Sequence, residues 1–267
     1  MKKILVMYLS TCYTKRLNLI NFIKNYRKYN SGVKHKLLIC FKNLSEKEKQ
    51  IRKKILKKIN CELFIDPENK NDHEWGSIKR VASNYKGYYI FFMNDYSYPI
   101  KKNWLQIIVE KIKSRTILAC TGSNSSFATN SFFRKNKQNL VKFLLNNIYF
   151  NLFVPRFPNP HLRANSFLIK ARDYLSFIKN RKINNKRHSL LLESGHNSFS
   201  KFFRSKNYKL LVINSDRKLF KEENWKNSNT FNYGNQEKLL ISDKDTRYYQ
   251  KLDKISKNKR IISVWGM

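Results

Sequence analysis

The strongest chemical signal in this sequence is a single carboxylate after a long apolar run: Asp95, in FFMNDYSYP, just behind GYYIFFM and ahead of Pro99. A carboxylate at the end of a buried strand can hold a divalent cation that bridges a diphosphate and offsets charge on a leaving group. The same residue could instead be a turn Asp that accepts backbone N–H bonds before the proline. His161, Arg163 and Asn165 alternate in HLRANSF, so an extended chain would point all three to one face. Arg suits phosphate because its planar fork of N–H donors matches the oxygens. A plain polar strand face would read the same way. Glu193 closes the apolar stretch of LLLESGHNSFS just before Gly195. A carboxyl near an apolar wall has a raised pKa and suits a general base, although a helix-surface or capping Glu would share that spacing.

The elements around these residues alternate. KILVMYL at 3–9, KLLICF at 36–41, CELFI at 61–65, GYYIFFM at 87–93 and TILAC at 116–120 are compact apolar runs of strand length. Between them, Leu19, Phe22, Ile23 and Tyr26 recur at helical spacing. Ser45 and Glu48 form a capping-box signature before Ile51, Ile55 and Ile59, a short helix is expected at 74–85, and Trp104, Ile108 and Ile112 mark another. This order predicts βαβ units and a mostly parallel sheet flanked by helices, an α/β fold. Ligands of such sheets bind beyond the carboxyl ends of the strands, which selects Ser10, Thr11, Asp66, Asn94 and Asp95. The second half predicts a helix at 139–153, a strand at 164–170, a helix with a glycine in it at 189–203, and strands at 209–213 and 238–242.

Composition sets the remaining bounds. The 267 residues, 41% hydrophobic and 14% aromatic, can bury enough surface to fold as one domain. The net charge of +37 is spread along the chain, mostly as Lys, rather than gathered in one stripe. A solvated basic surface is therefore expected, with attraction to anionic partners but no specific nucleic acid. A nucleic-acid-binding basic α/β protein stands as the alternative. Cys12, Cys40, Cys61 and Cys120 lack metal-ligand spacing and read as reduced thiols. No GxGxxG, GxxxxGK[ST] or GxSxG motif occurs, and no run approaches a membrane span. The expected location is cytoplasmic, with peripheral contact at an anionic membrane face.

IFFMNDYSYPIKKNWL, HLRANSFLIKARDYLSFI, LESGHNSFSKFFRSKNYKLLVI and WKNSNTFNYGNQEKLLISDKDTRYY, taken in order, resemble GT-A bacterial glycosyltransferases of the family-2-like type, including those related to rhamnan synthesis proteins. The resemblance implies a single GT-A (Rossmann-like) domain over 1–267, with a nucleotide-binding half at 1–125, an acceptor and catalytic half at 126–250 and a basic tail at 251–267. It also implies a nucleotide-sugar donor and a glycan or lipid-linked acceptor in polysaccharide biosynthesis. By position, Ser10, Asp66, Asp72, Asn94, Asp95, His161, Arg163 and Asn165 would bind the donor, with Asp72 near the nucleotide ahead of Gly76. Asp95 and Glu193 would be catalytic, Glu193 as the base. The family's Asp-x-Asp is not intact, since Asn94-Asp95-Tyr96 offers one carboxylate. The diphosphate charge would then fall to Mg²⁺ or Mn²⁺ on Asp95, or to Arg163 and nearby lysines. A GT-A scaffold without turnover is a further alternative.

Overall fold

The structure is a computed structural model and describes residues 2–67, 71–129 and 140–266. The first half runs β1 (Ile4–Thr11), α1 (Arg16–Lys28), β2 (Lys36–Lys42), α2 (Glu46–Leu56), β3 (Glu62–Ile65), α3 (His73–Asn84) and β4 (Tyr89–Met93). It continues through β5 (Tyr98–Pro99), α4 (Trp104–Val109), β6 (Thr116–Ala119) and β7 (Gly122–Ser123). The second half holds α5 (Leu140–Phe153), β8 (His161–Leu162), β9 (Ser166–Lys170), α6 (Ala171–Ile178), α7 (Lys186–Ser194) and α8 (Phe199–Ser205). The chain closes with β10 (Lys209–Ile213), β11 (Leu219–Phe220), a 3-10 segment at Glu222–Ser228, β12 (Ile241–Ser242), α9 (Lys244–Gln250) and α10 (Lys254–Trp265).

Eight strands form one sheet in the order β11-β10-β6-β9-β4-β1-β2-β3. The β1–β2, β1–β4, β2–β3 and β6–β10 pairs are parallel. β9 is antiparallel to both its neighbours, β4 and β6, and β11 is antiparallel at the edge. This is the expected α/β fold with a mostly parallel sheet.

Every residue of β1 is buried, because helices cover both faces of the sheet. Leu5, Met7 and Leu9 pack with Trp75, Ile78 and Val81 of α3 and with Tyr174 and Phe177 of α6. Ile4, Val6 and Tyr8 face the other layer, Leu19, Phe22 and Ile23 of α1 and Trp104 and Ile108 of α4. The period-2 alternation of a strand thus divides one apolar run between two cores.

Three expectations change. The helix expected at 189–203 is two, α7 and α8, broken at Gly195. Gly195 caps α7 in extended conformation (φ −76°, ψ 179°), and a Cβ there would lie 2.7 Å from the Leu191 carbonyl oxygen. The strand expected at 164–170 begins only at Ser166, because the chain turns after Arg163 and passes from β8, paired with β7, into the main sheet. His161, Arg163 and Asn165 are therefore not presented by the alternation of a single strand. Of 238–242, only β12 is extended, paired with β5.

Candidate functional site

The order of the sheet reverses between β1 and β4. β1 leads on to β2 and β3 on one side, and β4 leads to β9 and β6 on the other. A crevice opens at the carboxyl ends of strands on either side of such a switch. A cavity of about 490 Å³ lies there, lined by Leu9, Thr11, Lys42, Asn94, Asp95 and Tyr96 from the strand ends. His73 and Glu74 of α3, Lys186 and Glu193 of α7, and Arg163, Ala164, Asn165 and Asp245 close it.

Asn94 and Asp95 divide two tasks that the sequence left open for one residue. Asn94 makes the turn: its side-chain oxygen accepts from the Tyr96 amide (3.1 Å) and the Ser97 hydroxyl (2.7 Å). The Asp95 carboxylate is left to the cavity, where it accepts from the Thr11 hydroxyl. Tyr8 fixes the Asp95 backbone from below by donating to its carbonyl (3.0 Å). Burial pushes the Asp95 pKa up, and hydrogen bonds from Thr11 and Thr14 and the charge of Arg52 pull the other way. Such a carboxylate is poised to gain from a cation.

Glu193 sits in the last turn of α7, and its Oε1 accepts from the Ala164 amide at 2.9 Å. The helix beneath it is fastened at both ends. Trp75 of α3 donates to the Ser189 carbonyl (3.2 Å), the Ser189 hydroxyl donates to Glu74 (2.9 Å), and Asn159 donates to the Ser194 carbonyl (2.7 Å). His161 is buried beside Glu193, with its Nδ1 on the Asn159 carbonyl (2.8 Å). Burial lowers its pKa, opposed by the charge of Glu193, which favours the neutral ring.

Arg163 is committed to carboxylates. It donates to Asp243 (2.7 Å) and Asp245 (2.6 Å), and its guanidinium lies 3.9 Å from the centroid of the Phe231 ring. Burial would lower its pKa, but the two aspartates outweigh that and raise it. Asn165 donates to Asp243 and accepts from the Thr121 hydroxyl (3.0 Å). Asp243 also caps α9 through its other oxygen, so one carboxylate ties the β8–β9 turn to α9.

Ser10, Asp66 and Asp72 stand behind the cavity. Ser10 is 1% exposed and accepts from Arg52 (2.7 Å). Lys42 and Arg80 bridge Asp66 and Asp72 in a buried four-charge cluster. Burial pushes the Asp66 pKa up, but hydrogen bonds from Arg80 and Ser77 bring it below the usual carboxylate value. Gly76 admits this cluster, since a Cβ there would lie 1.8 Å from an Asp72 oxygen. Of the nine candidates, Asn94, Asp95, Arg163, Asn165 and Glu193 line this cavity, while Asp66 and Asp72 hold Lys42 and Arg80 of α3 and Ser10 holds Arg52 of α2.

A second cavity, of about 640 Å³, shares Arg163, Glu193 and Asp245 with the first. His161, Ser123, Phe127 and Phe231 line it together with Lys259, Arg260 and Ser263 of α10. The basic tail is therefore helix α10, forming part of a wall. Sequence reasoning missed two carboxylates, besides Lys186 of α7. Glu74 lines the first cavity with its pKa pushed up by burial, and Asp245 stands between the two cavities. Neither carries a local signal, because both reach the cavities only through tertiary packing.

Among the described residues, no three His, Cys, Asp or Glu side chains gather where they could hold a metal. Asp95 beside Thr11 suits Mg²⁺ only where phosphate oxygens and water complete the shell. Among the described residues no helix is long and apolar enough to cross a membrane.

No protein-family model matches the sequence, and no curated protein matches it. Among solved structures, the chain is similar to S. aureus TarS 1–349 in complex with UDP-GlcNAc: 14% identity, TM-score 0.34, covering 45% of this chain and 34% of that one. It is similar to GalNAc-T7 with UDP, GalNAc and Mn²⁺: 10% identity, TM-score 0.42, covering 66% and 36%. It is also similar to a cytidylyltransferase from Leptospira borgpetersenii serovar Hardjo-bovis: 10% identity, TM-score 0.45, covering 79% and 75%. The chain spans only 21% of a longer TarS structure. At such identities none of them assigns a role to a residue here.

Proposed function

We propose that the chain is a GT-A-type glycosyltransferase that moves a sugar from a nucleoside diphosphate sugar to a glycan or lipid-linked acceptor hydroxyl. The observation that carries this reading is the pair of cavities meeting at Glu193, Arg163 and Asp245, the first of them at the switch point with Asp95 at its floor. The donor occupies the first cavity, with its diphosphate toward Asp95 and Lys186, whereas Lys42 is held by Asp66 and Asp72. Asp95 would hold Mg²⁺ or Mn²⁺, which would supply positive charge to offset that of the diphosphate. The acceptor enters the second cavity. Glu193 takes the proton of its hydroxyl as the oxygen bonds to the anomeric carbon, and the nucleoside diphosphate leaves with the electron pair of the broken C–O bond. The Ala164 amide holds Glu193 in place, and Asp243 and Asp245 hold Arg163 as a charged strut rather than a phosphate clamp.

Nucleoside diphosphate release from a panel of donors, with mixed glycan and lipid-linked acceptors, tests this reading. Glu193→Gln should lower turnover by about 10²–10⁴-fold while donor binding persists. Release by the variant at the wild-type rate would overturn the role of Glu193. Release of nucleoside diphosphate from no donor by the wild type would overturn the transferase reading.

A further inference from the structure

We infer that the protein rests on an anionic lipid bilayer through helix α5, beside the second cavity. Leu144, Leu145, Ile148 and Leu152 follow helical spacing on one face of α5 and are 51%, 60%, 60% and 65% exposed. Phe150 lies outside that stripe and is buried with Ala128 and Val154 against Phe127, Leu190 and Leu191. One face therefore anchors the helix to the body, and the other leaves large apolar side chains in water, the mark of an interaction surface. α5 has 14 residues, about 21 Å of helix, against the ~20 residues that a span requires. Too short to span, the helix would lie in the plane of the interface with the exposed apolar stripe among the acyl chains and its Asn positions outside that stripe.

Charge selects the occupant. No Asp or Glu occurs between Glu110 and Asp173, the stretch that contains α5. Arg187 flanks the helix, 4.9 Å from the Tyr149 ring centroid and bonded to Asn146. A chain of net charge +37 is drawn to an anionic surface and repelled by its own copy, which disfavours a homodimer on this face. Phe127 both packs on Phe150 and lines the second cavity, so docking through α5 brings that cavity close to the lipid. This placement fits a lipid-linked acceptor if the proposed function holds, whereas the docking itself does not depend on that function.

Co-sedimentation of the full chain with vesicles tests the docking. Wild type should bind phosphatidylcholine vesicles containing phosphatidylglycerol and bind pure phosphatidylcholine weakly. Leu145→Asp with Ile148→Asp should lower the partition by at least about tenfold without changing the melting temperature, since both side chains are exposed. Leu145→Ser with Ile148→Ser, which adds no charge, should also lower it severalfold, and it serves as the readout if the Asp pair fails to fold. Undiminished binding by the Ser pair, no binding to the anionic vesicles, or a dimer in solution that the variants dissociate would each overturn the proposal.

Discussion

Asn94 and Asp95 show how little separates a structural residue from a functional one. Both follow β4, yet the Asn94 side chain is consumed by the turn and the Asp95 side chain is not. His161 adds a titration to the site. Burial lowers its pKa from 6.5, so in acid the unfolded chain takes up this proton before the native one. Its contribution to stability is complete above about pH 6.5 and is lost as the pH falls toward the native value. His161→Gln should therefore flatten the fall of the melting temperature between about pH 7 and pH 5. An acid limb as steep as that of the wild type would show that His161 does not set it.

Elements carry those residues to the site, and here the sequence was legible unevenly. The apolar runs of β1, β2 and β4 were readable because strands buried on both faces need no partner to declare themselves. β12 and β8, two residues each, take their conformation from pairing across the chain rather than from pattern. The same holds for the candidate site. Asp95 and Glu193 could be found because each ends an apolar run, whereas Asp245 and Glu74 matter only through the approach of α9 and α3. The break at Gly195 is an element-scale feature with a measurable consequence. Gly195→Ala must displace the Leu191 carbonyl, which a Cβ would approach to 2.7 Å, at the end of α7 that holds Glu193. Chemical denaturation should show a loss of about 1–3 kcal/mol. An unchanged midpoint would mean that the α7–α8 corner yields without strain.

At the scale of the molecule, β9 is the piece that joins the two halves. It comes from the second half of the chain, yet it lies between β4 and β6 of the first, with Phe167 packed against Phe92. A chain cut near residue 125 would leave a gap in its own sheet. Calorimetry should therefore record one cooperative transition with equal calorimetric and van't Hoff enthalpies, and two resolved transitions would contradict this architecture. The central claim is that the crevice between β1 and β4 binds a nucleoside diphosphate sugar on Asp95. Isothermal calorimetry with a panel of such sugars, run with and without Mg²⁺ or Mn²⁺ on wild type and Asp95→Asn, tests it most directly. Selective binding of one nucleotide, weakened at least about tenfold in a variant that melts no lower than wild type, is the predicted result. No binding of any member of the panel, or equal affinity in wild type and Asp95→Asn, would contradict it.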